Sequence, residues 1–144
     1  MLNISGGRYI ISAGRRIGKS TACEMFAEKY GKDGYKVCIA TKNPYQLYIH
    51  KRAEAMEPRH IMGKYFDYVL MDDASGFSEL EFLSCISASE NIIAISTPKA
   101  GSYFNDFYMD CDWHKLRFYK NPETGLIRYY TDQLYREEML GKVE

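Results

Sequence analysis

Eight residues near the start of the chain carry the clearest chemistry: Ala13-Gly14-Arg15-Arg16-Ile17-Gly18-Lys19-Ser20. They match the phosphate-binding pattern G-x-x-x-x-G-K-[S/T], with Ala in place of the first Gly. Gly14 and Gly18 let the backbone turn tightly, so that successive N–H groups face phosphate oxygens. A helix opening near Lys19 adds the positive end of its dipole. Lys19 supplies a point charge for the β- and γ-phosphates of a nucleotide, and Ser20 offers a hydroxyl to magnesium. The expected nucleotide-holding segment runs from Ala13 through Arg15, Arg16 and Ile17 to Thr21. The bland alternative is a Gly-rich strand-to-helix turn with no ligand.

Such a loop needs a carboxylate at the end of a neighbouring strand to hold the magnesium shell. Tyr68-Val69-Leu70-Met71-Asp72-Asp73 supplies one, since four apolar residues run straight into two acids. Asp72 is the expected magnesium-side acid. Asp73 stands where many ATPases carry a Glu that polarises the attacking water, and it is one methylene shorter. A third stretch, Asn91-Ile92-Ile93-Ala94-Ile95-Ser96-Thr97-Pro98, is another apolar run ending in hydroxyls. ATPases with an acid beside the magnesium Asp usually insert one strand between the two nucleotide-binding strands, and this is the candidate. Ser96 and Thr97 then lie near the γ-phosphate and report its loss. Equally, their hydroxyls cap a helix near Gly101.

The elements that must position these residues are legible from periodicity. Arg8 to Ser12 reads as a buried strand. Lys19 to about Tyr30 reads as a helix, with Ala22, Met25, Phe26 and Tyr30 at three- and four-residue spacing, ended by Gly31 and Gly34. Tyr35 to Ala40 is a second strand. Pro44 opens a helix to about Met56, which Pro58 stops. Tyr68 to Met71 is apolar throughout, as for a strand covered on both faces. A helix runs from about Ser78 to Ala88, with Ser78 as N-cap and Glu81 three residues on. Strand Asn91 to Ser96 and helix Ser102 to Met109 follow. Trp113 to Tyr119 and Leu126 to Tyr130 flank a turn, and Thr131 caps a last helix to about Leu140. Alternation of strand and helix predicts an α/β domain with a mainly parallel sheet flanked by helices, extended by a C-terminal hairpin and helix.

Length and composition agree with one domain over 1–144. The 144 residues are 46% apolar, ordinary for a soluble domain, so disorder is a poor reading. Nineteen basic and nineteen acidic residues cancel, so no global basic field announces nucleic acid, although a local basic rim is compatible. Cys23, Cys38, Cys85 and Cys111 show no metal-ligand spacing and read as small core residues, which fits a reducing cytosol. No stretch approaches a membrane span or a signal peptide. The thirteen Tyr read first as packing rather than as base-stacking residues.

Together the motifs resemble the ATPase domain of the large terminase subunit, the DNA-packaging motor of tailed bacteriophages. Ser12 to Ser20 is similar to that family's Walker A, with Arg15 four residues before the Lys. Val69 to Ala74 resembles its Walker B, which usually ends Asp-Glu-Ala. Ile95 to Gly101, with Ser96, Thr97 and Pro98, followed by Phe104 to Tyr108, resembles its coupling motif and the helix after it. Residues 110–144 are similar to its lid-like end. The resemblance implies a P-loop NTPase of the additional-strand, RecA-like type that uses ATP and Mg2+. It implies that Arg15 senses or stabilises the γ-phosphate, beside Lys19 and Asp73 as catalytic groups. It implies movement of double-stranded DNA by a homo-oligomeric ring, commonly of five subunits, with other packaging proteins as possible partners, in the host cytoplasm. Lys99, Lys115, Arg117, Lys120 and Arg128 are the cations available to a pore. Only seven residues precede Arg8 and no nuclease-length segment follows Glu144, so a minimal or truncated form of that domain is expected. Two other functions compete: a non-hydrolysing or partner-dependent nucleotide-binding module, motivated by Asp73, and a small P-loop kinase.

Overall fold

The computed structural model describes residues 6–13, 19–44, 53–97, 99–120, 123–124 and 127–131. Strands β1 (Arg8–Ala13), β2 (Val37–Ala40), β3 (Ala53–Met56), β4 (Tyr68–Asp72), β5 (Ile92–Ser96), β6 (His114–Lys120) and β7 (Ile127–Thr131) alternate with helices α1 (Lys19–Lys32), α2 (Glu79–Ser87) and α3 (Tyr103–Asp110). The strands form one sheet in the order β3-β2-β4-β5-β1-β6-β7. Every neighbouring pair is parallel except the hairpin β6–β7. The expected α/β architecture with a mainly parallel sheet and a terminal hairpin is therefore present.

Why the strands are apolar throughout follows from what covers them. Alternate residues of a strand face opposite sides. On one side Ile11, Ile39, Leu70, Ile93 and Ile95 pack with Cys23, Phe26, Ala27 and Tyr30 of α1. On the other, Ile10, Cys38, Val69, Met71, Ile92 and Ala94 pack with Phe82 and Cys85 of α2 and with Phe104 and Tyr108 of α3. A strand between two such layers has no solvent face to make polar. Cys23, Cys38 and Cys85 are buried, as expected of small core residues, and Cys111 is half-buried.

Three local expectations need correction. The helix projected from Pro44 to Met56 does not hold at its end: residues 53–56 are the edge strand β3, paired with β2 from Val37↔Ala53 to Ala40↔Met56. Ala, Glu and Met favour helix intrinsically, but the open edge of β2 supplies a full ladder of backbone partners, and tertiary pairing wins. Residues 45–52 lie outside the described ones. Pro58 opens a 3-10 turn, Pro58–His60, rather than only ending a helix. Helix α1 continues through Gly31 to Lys32, and the turn falls at Gly34, whose φ of +90° a side chain would resist. The last helix projected from Thr131 lies outside the described residues, and Thr131 itself closes β7.

Candidate functional site

The register aligns five polar residues at one edge of the sheet: Asp72, Asp73, Ser96, Ser12 and Thr41. Asp72 pairs with Ile95, so Asp73 comes level with Ser96. Ser96 pairs with Ser12, which brings the end of β1 alongside. Ala40 pairs with Met71, which sets Thr41 level with Asp72. The carboxyl edge of a parallel sheet is where open α/β folds bind ligands, because side chains and helix N-termini converge there.

Asp72 is 5% exposed, and each of its oxygens has a neighbour from a different element. Thr41 Oγ1 donates to Oδ2 at 3.4 Å. Cys23 Sγ lies 3.9 Å from Oδ1 as a thiol donor. Burial, then the Asp72 charge and this hydrogen bond, push the Cys23 thiol well above its ordinary pKa, so it stays protonated. Cys23 sits one turn beyond Lys19 on α1, so this contact fixes the start of α1 against the end of β4. Thr41 is anchored in turn: its N–H donates to the Met56 carbonyl at 3.0 Å, and its hydroxyl accepts from Asn43 N–H at 3.2 Å.

Asp73 differs from its neighbour in every respect. It is exposed and adopts φ 54°, ψ 50°, the left-handed region, as the residue that starts the 3-10 turn Ala74–Gly76. Asp tolerates this conformation better than most residues, at a cost of about 1 kcal/mol. Ser96 Oγ donates to Asp73 Oδ1 at 3.2 Å. Ser96, itself fully buried, also accepts from the Ser75 N–H at 2.9 Å and lies 2.5 Å from Ser75 Oγ. Ser75 Oγ reaches the Thr97 carbonyl at 3.0 Å. The helix near Gly101 is capped instead by Ser102, whose hydroxyl accepts from Asn105 N–H at 3.2 Å. Ser96 therefore does not cap that helix, and its hydroxyl meets the acidic strand end instead.

A second brace lies behind the acids. Ser78 caps α2 with Glu81 completing the reciprocal box, as the sequence predicts. Lys42, two residues past β2, closes an ion pair on both oxygens of Glu81 at 2.7 and 2.6 Å.

The other predicted residues divide by position. Ala13 ends β1, and residues 14–18, which include Gly14, Arg15, Arg16, Ile17 and Gly18, lie outside the described ones, as does Pro98. Lys19, Ser20 and Thr21 are the first three residues of α1, described in backbone only. Sequence reasoning missed Thr41, Cys23 and Ser75. Thr41 had a signal, being the first polar residue after the apolar run of β2, as Asp72 is after β4. Cys23 had a weaker one, four residues beyond Lys19. Ser75 had none that separates it from an ordinary turn serine.

Neither a scan against protein-family models nor a search of curated proteins returned a match. A buried carboxylate beside a hydroxyl is a hard oxygen donor set suited to magnesium. That ion keeps most of its shell as water and phosphate oxygen and needs only one or two protein carboxylates. Among the described residues there is no group of three His, Cys, Asp or Glu side chains of the kind that would cage a metal by itself. None of their helices is long and apolar enough to cross a membrane.

Proposed function

We propose that this chain is a magnesium-dependent P-loop ATPase of the additional-strand, RecA-like type, similar to the motor that packages viral DNA. One observation carries most of the reading. Strand β5 lies between β1, which leads into the phosphate-binding pattern, and β4, which ends in Asp72-Asp73. A chance Gly-rich turn has no reason to be followed by a helix whose next turn touches a buried carboxylate two strands away.

In this reading the backbone from Ala13 to Thr21 cradles the phosphates, and Lys19 and Arg15 offset charge on the β- and γ-oxygens. Ser20 and Asp72 hold Mg2+, with Thr41 keeping the Asp72 carboxylate in one orientation. Bound magnesium supplies fixed positive charge across the leaving phosphates. Asp73 orients the attacking water and accepts its proton, and Ser96 holds Asp73 in place. The resemblance further suggests a homo-oligomeric ring, pentameric by analogy, acting on double-stranded DNA with other packaging proteins. Lys115 and Arg117, which lie over the Tyr108 ring at 5.6 and 6.0 Å, are two of the cations available to a basic rim.

The deciding experiment is phosphate release from ATP with magnesium, with and without double-stranded DNA, against Lys19→Ala. Release that the substitution abolishes, that DNA stimulates, and that falls steeply with salt is expected. Turnover indifferent to DNA removes the motor from the reading and leaves the ATPase. A second reading, nucleotide binding without hydrolysis, draws on Asp73: its shorter side chain is already engaged by Ser96. Tight ATP binding with no release, unchanged in Asp73→Ala, selects that reading. Faster release in Asp73→Glu identifies a weakened catalyst instead.

A further inference from the structure

We propose that Ser75 is a positioning residue, and that the hydroxyl pair Ser75–Ser96 relays the state of the Asp73 carboxylate to helices α2 and α3. The inference rests on the ATPase reading and adds to it a residue and a route.

The pair follows from counting hydrogens. A serine hydroxyl carries one hydrogen and two lone pairs. Four contacts require a hydroxyl hydrogen: Ser96 to Asp73 Oδ1 at 3.2 Å, Ser75 to Ser96 at 2.5 Å, Ser75 to the Thr97 carbonyl at 3.0 Å, and a longer one from Ser96 to the Thr97 carbonyl at 3.4 Å. Two hydrogens cannot fill four contacts. With the shortest contact filled, two arrangements use the shorter of the remaining bonds. In one, Ser75 donates to Ser96 and Ser96 donates to Asp73. In the other, Ser96 donates to Ser75 and Ser75 donates to the Thr97 carbonyl. The Ser75 N–H bond to Ser96 Oγ, at 2.9 Å, is kept in both and holds the two oxygens together. Rotation of two hydroxyls therefore moves one hydrogen bond between the candidate catalytic carboxylate and the backbone of the segment after β5. No heavy atom needs to move.

The two arrangements suit different stages of a hydrolytic cycle. A carboxylate that accepts from Ser96 is held still. One released by Ser96 has that lone pair for the attacking water, while Ser75 grips Thr97. The turn bearing Ser75 is continuous with what would have to move. Ala74 before it is fully buried, Phe77 after it is nearly so, and Ser78 then caps α2. Ser75 also lines a cleft of about 590 Å³ with Ser78, Lys99, Ser102 and Tyr103, between the N-terminal ends of α2 and α3. Behind that cleft the chain's single tryptophan, Trp113, packs on Phe107 of α3 at 5.0 Å and on Phe82 of α2 at 6.5 Å between ring centroids. Its emission is a built-in gauge of how those helices sit.

The test compares the whole chain as wild type, Ser75→Ala and Ser75→Thr. Three readouts are taken with magnesium: displacement of a fluorescent nucleotide by ATP and ADP, steady-state phosphate release, and Trp113 emission with a non-hydrolysable ATP analogue against ADP. Ser75→Ala is expected to bind both nucleotides within about twofold of wild type, with KM unchanged. Its kcat should fall about tenfold, the lower end of what outer hydrogen-bond partners contribute at such sites. The difference in Trp113 emission between the two nucleotide states should vanish, and Ser75→Thr should restore both properties. Wild-type turnover with an unchanged Ser75→Ala overturns the inference alone. So does a Ser75→Thr as impaired as the alanine variant, because bulk rather than the hydroxyl would then matter. Wild-type emission identical in the two states overturns the relay. A wild type that binds no nucleotide, or binds it without turnover, overturns the ATPase reading and the inference together.

Discussion

Among the described residues, one helix of fourteen residues packs on one face of the sheet, and two helices of nine and eight residues share the other. The α1 face is pinned at both ends. Near the site Cys23 meets Asp72. At the far end Tyr30 stacks on Tyr68 with centroids 4.0 Å apart and planes 6° from parallel, and Tyr35 meets Tyr68 edge-on. The α2–α3 face gathers Tyr103, Phe104, Phe107 and Trp113 around Phe82. Its site end is not an apolar contact but the hydroxyl pair and the strained Asp73. A helix locked at both ends suits a fixed phosphate grip. Helices tied to the site through exchangeable hydrogen bonds suit a part that responds.

The largest effect that sharpens this contrast is on stability. Phe82 is fully buried at the centre of its cluster, so Phe82→Ala should cost about 3–5 kcal/mol in denaturant unfolding. Phe26→Ala, on the α1 face, should cost a comparable amount. Only the first should shift Trp113 emission in the folded protein, because Phe26 and Trp113 belong to different clusters. A shift of equal size in both would mean that the faces act as one body.

Next comes Asp72→Asn. The amide keeps an oxygen for Thr41, turns its NH2 toward Cys23 Sγ in place of an acceptor, and removes a buried negative charge, so the fold should stay close to wild type in stability. Phosphate release should fall roughly a hundredfold or more, the scale of losing one group that stabilises transition-state charge. Half-maximal magnesium should rise in parallel. Loss of activity together with collapse of the fold would make Asp72 an architectural residue.

Asp73→Gly should raise stability by a small amount. Glycine accepts φ 54° without a Cβ penalty, so about 1 kcal/mol is expected to be gained while turnover is lost. A strained residue that stabilises when removed, at the cost of activity, is the signature of a functional position. No gain would mean that the bond from Ser96 already offsets the strain.

How much of this was legible differs between the faces. The ends of β4 and β5 were readable because an apolar run met a polar residue there, which found Asp72, Asp73 and Ser96. The α2 cap was readable because Ser78 and Glu81 interact locally, within one turn. What escaped was non-local. Thr41 matters only because β2 lies beside β4, and Ser75 only because a left-handed Asp73 turns it back onto β5. Edge strand β3 escaped because its Ala-Glu-Ala-Met composition favours helix and its partner is thirteen or more residues away in sequence. Lys42–Glu81 was invisible for the same reason, at a separation of 39 residues.

That ion pair gives the smallest effect and the finest test of how the α2 side is held. Lys42 is 43% exposed and Glu81 15%, so Lys42→Met should cost about 0.5–1 kcal/mol at neutral pH, and less in high salt. Burial alone would raise the Glu81 pKa. The Lys42 ion pair and the Ser78 N–H and hydroxyl outweigh it, and the net direction is downward from the ordinary 4.5. A carboxyl whose folded pKa is depressed contributes fully above its unfolded value and loses that contribution as pH falls through the folded one. The wild-type advantage over Lys42→Met should therefore be level from pH 8 down to about 5 and shrink below 4.5. Unfolding curves at pH 7 and pH 3 decide it. An advantage that survives at pH 3 belongs to hydrogen bonds from the Lys42 ammonium rather than to the charge of Glu81, since methionine keeps a similar apolar stem. In that case the brace behind the acids does not depend on the Glu81 charge, and protonation has no route through it to the turn that carries Asp73.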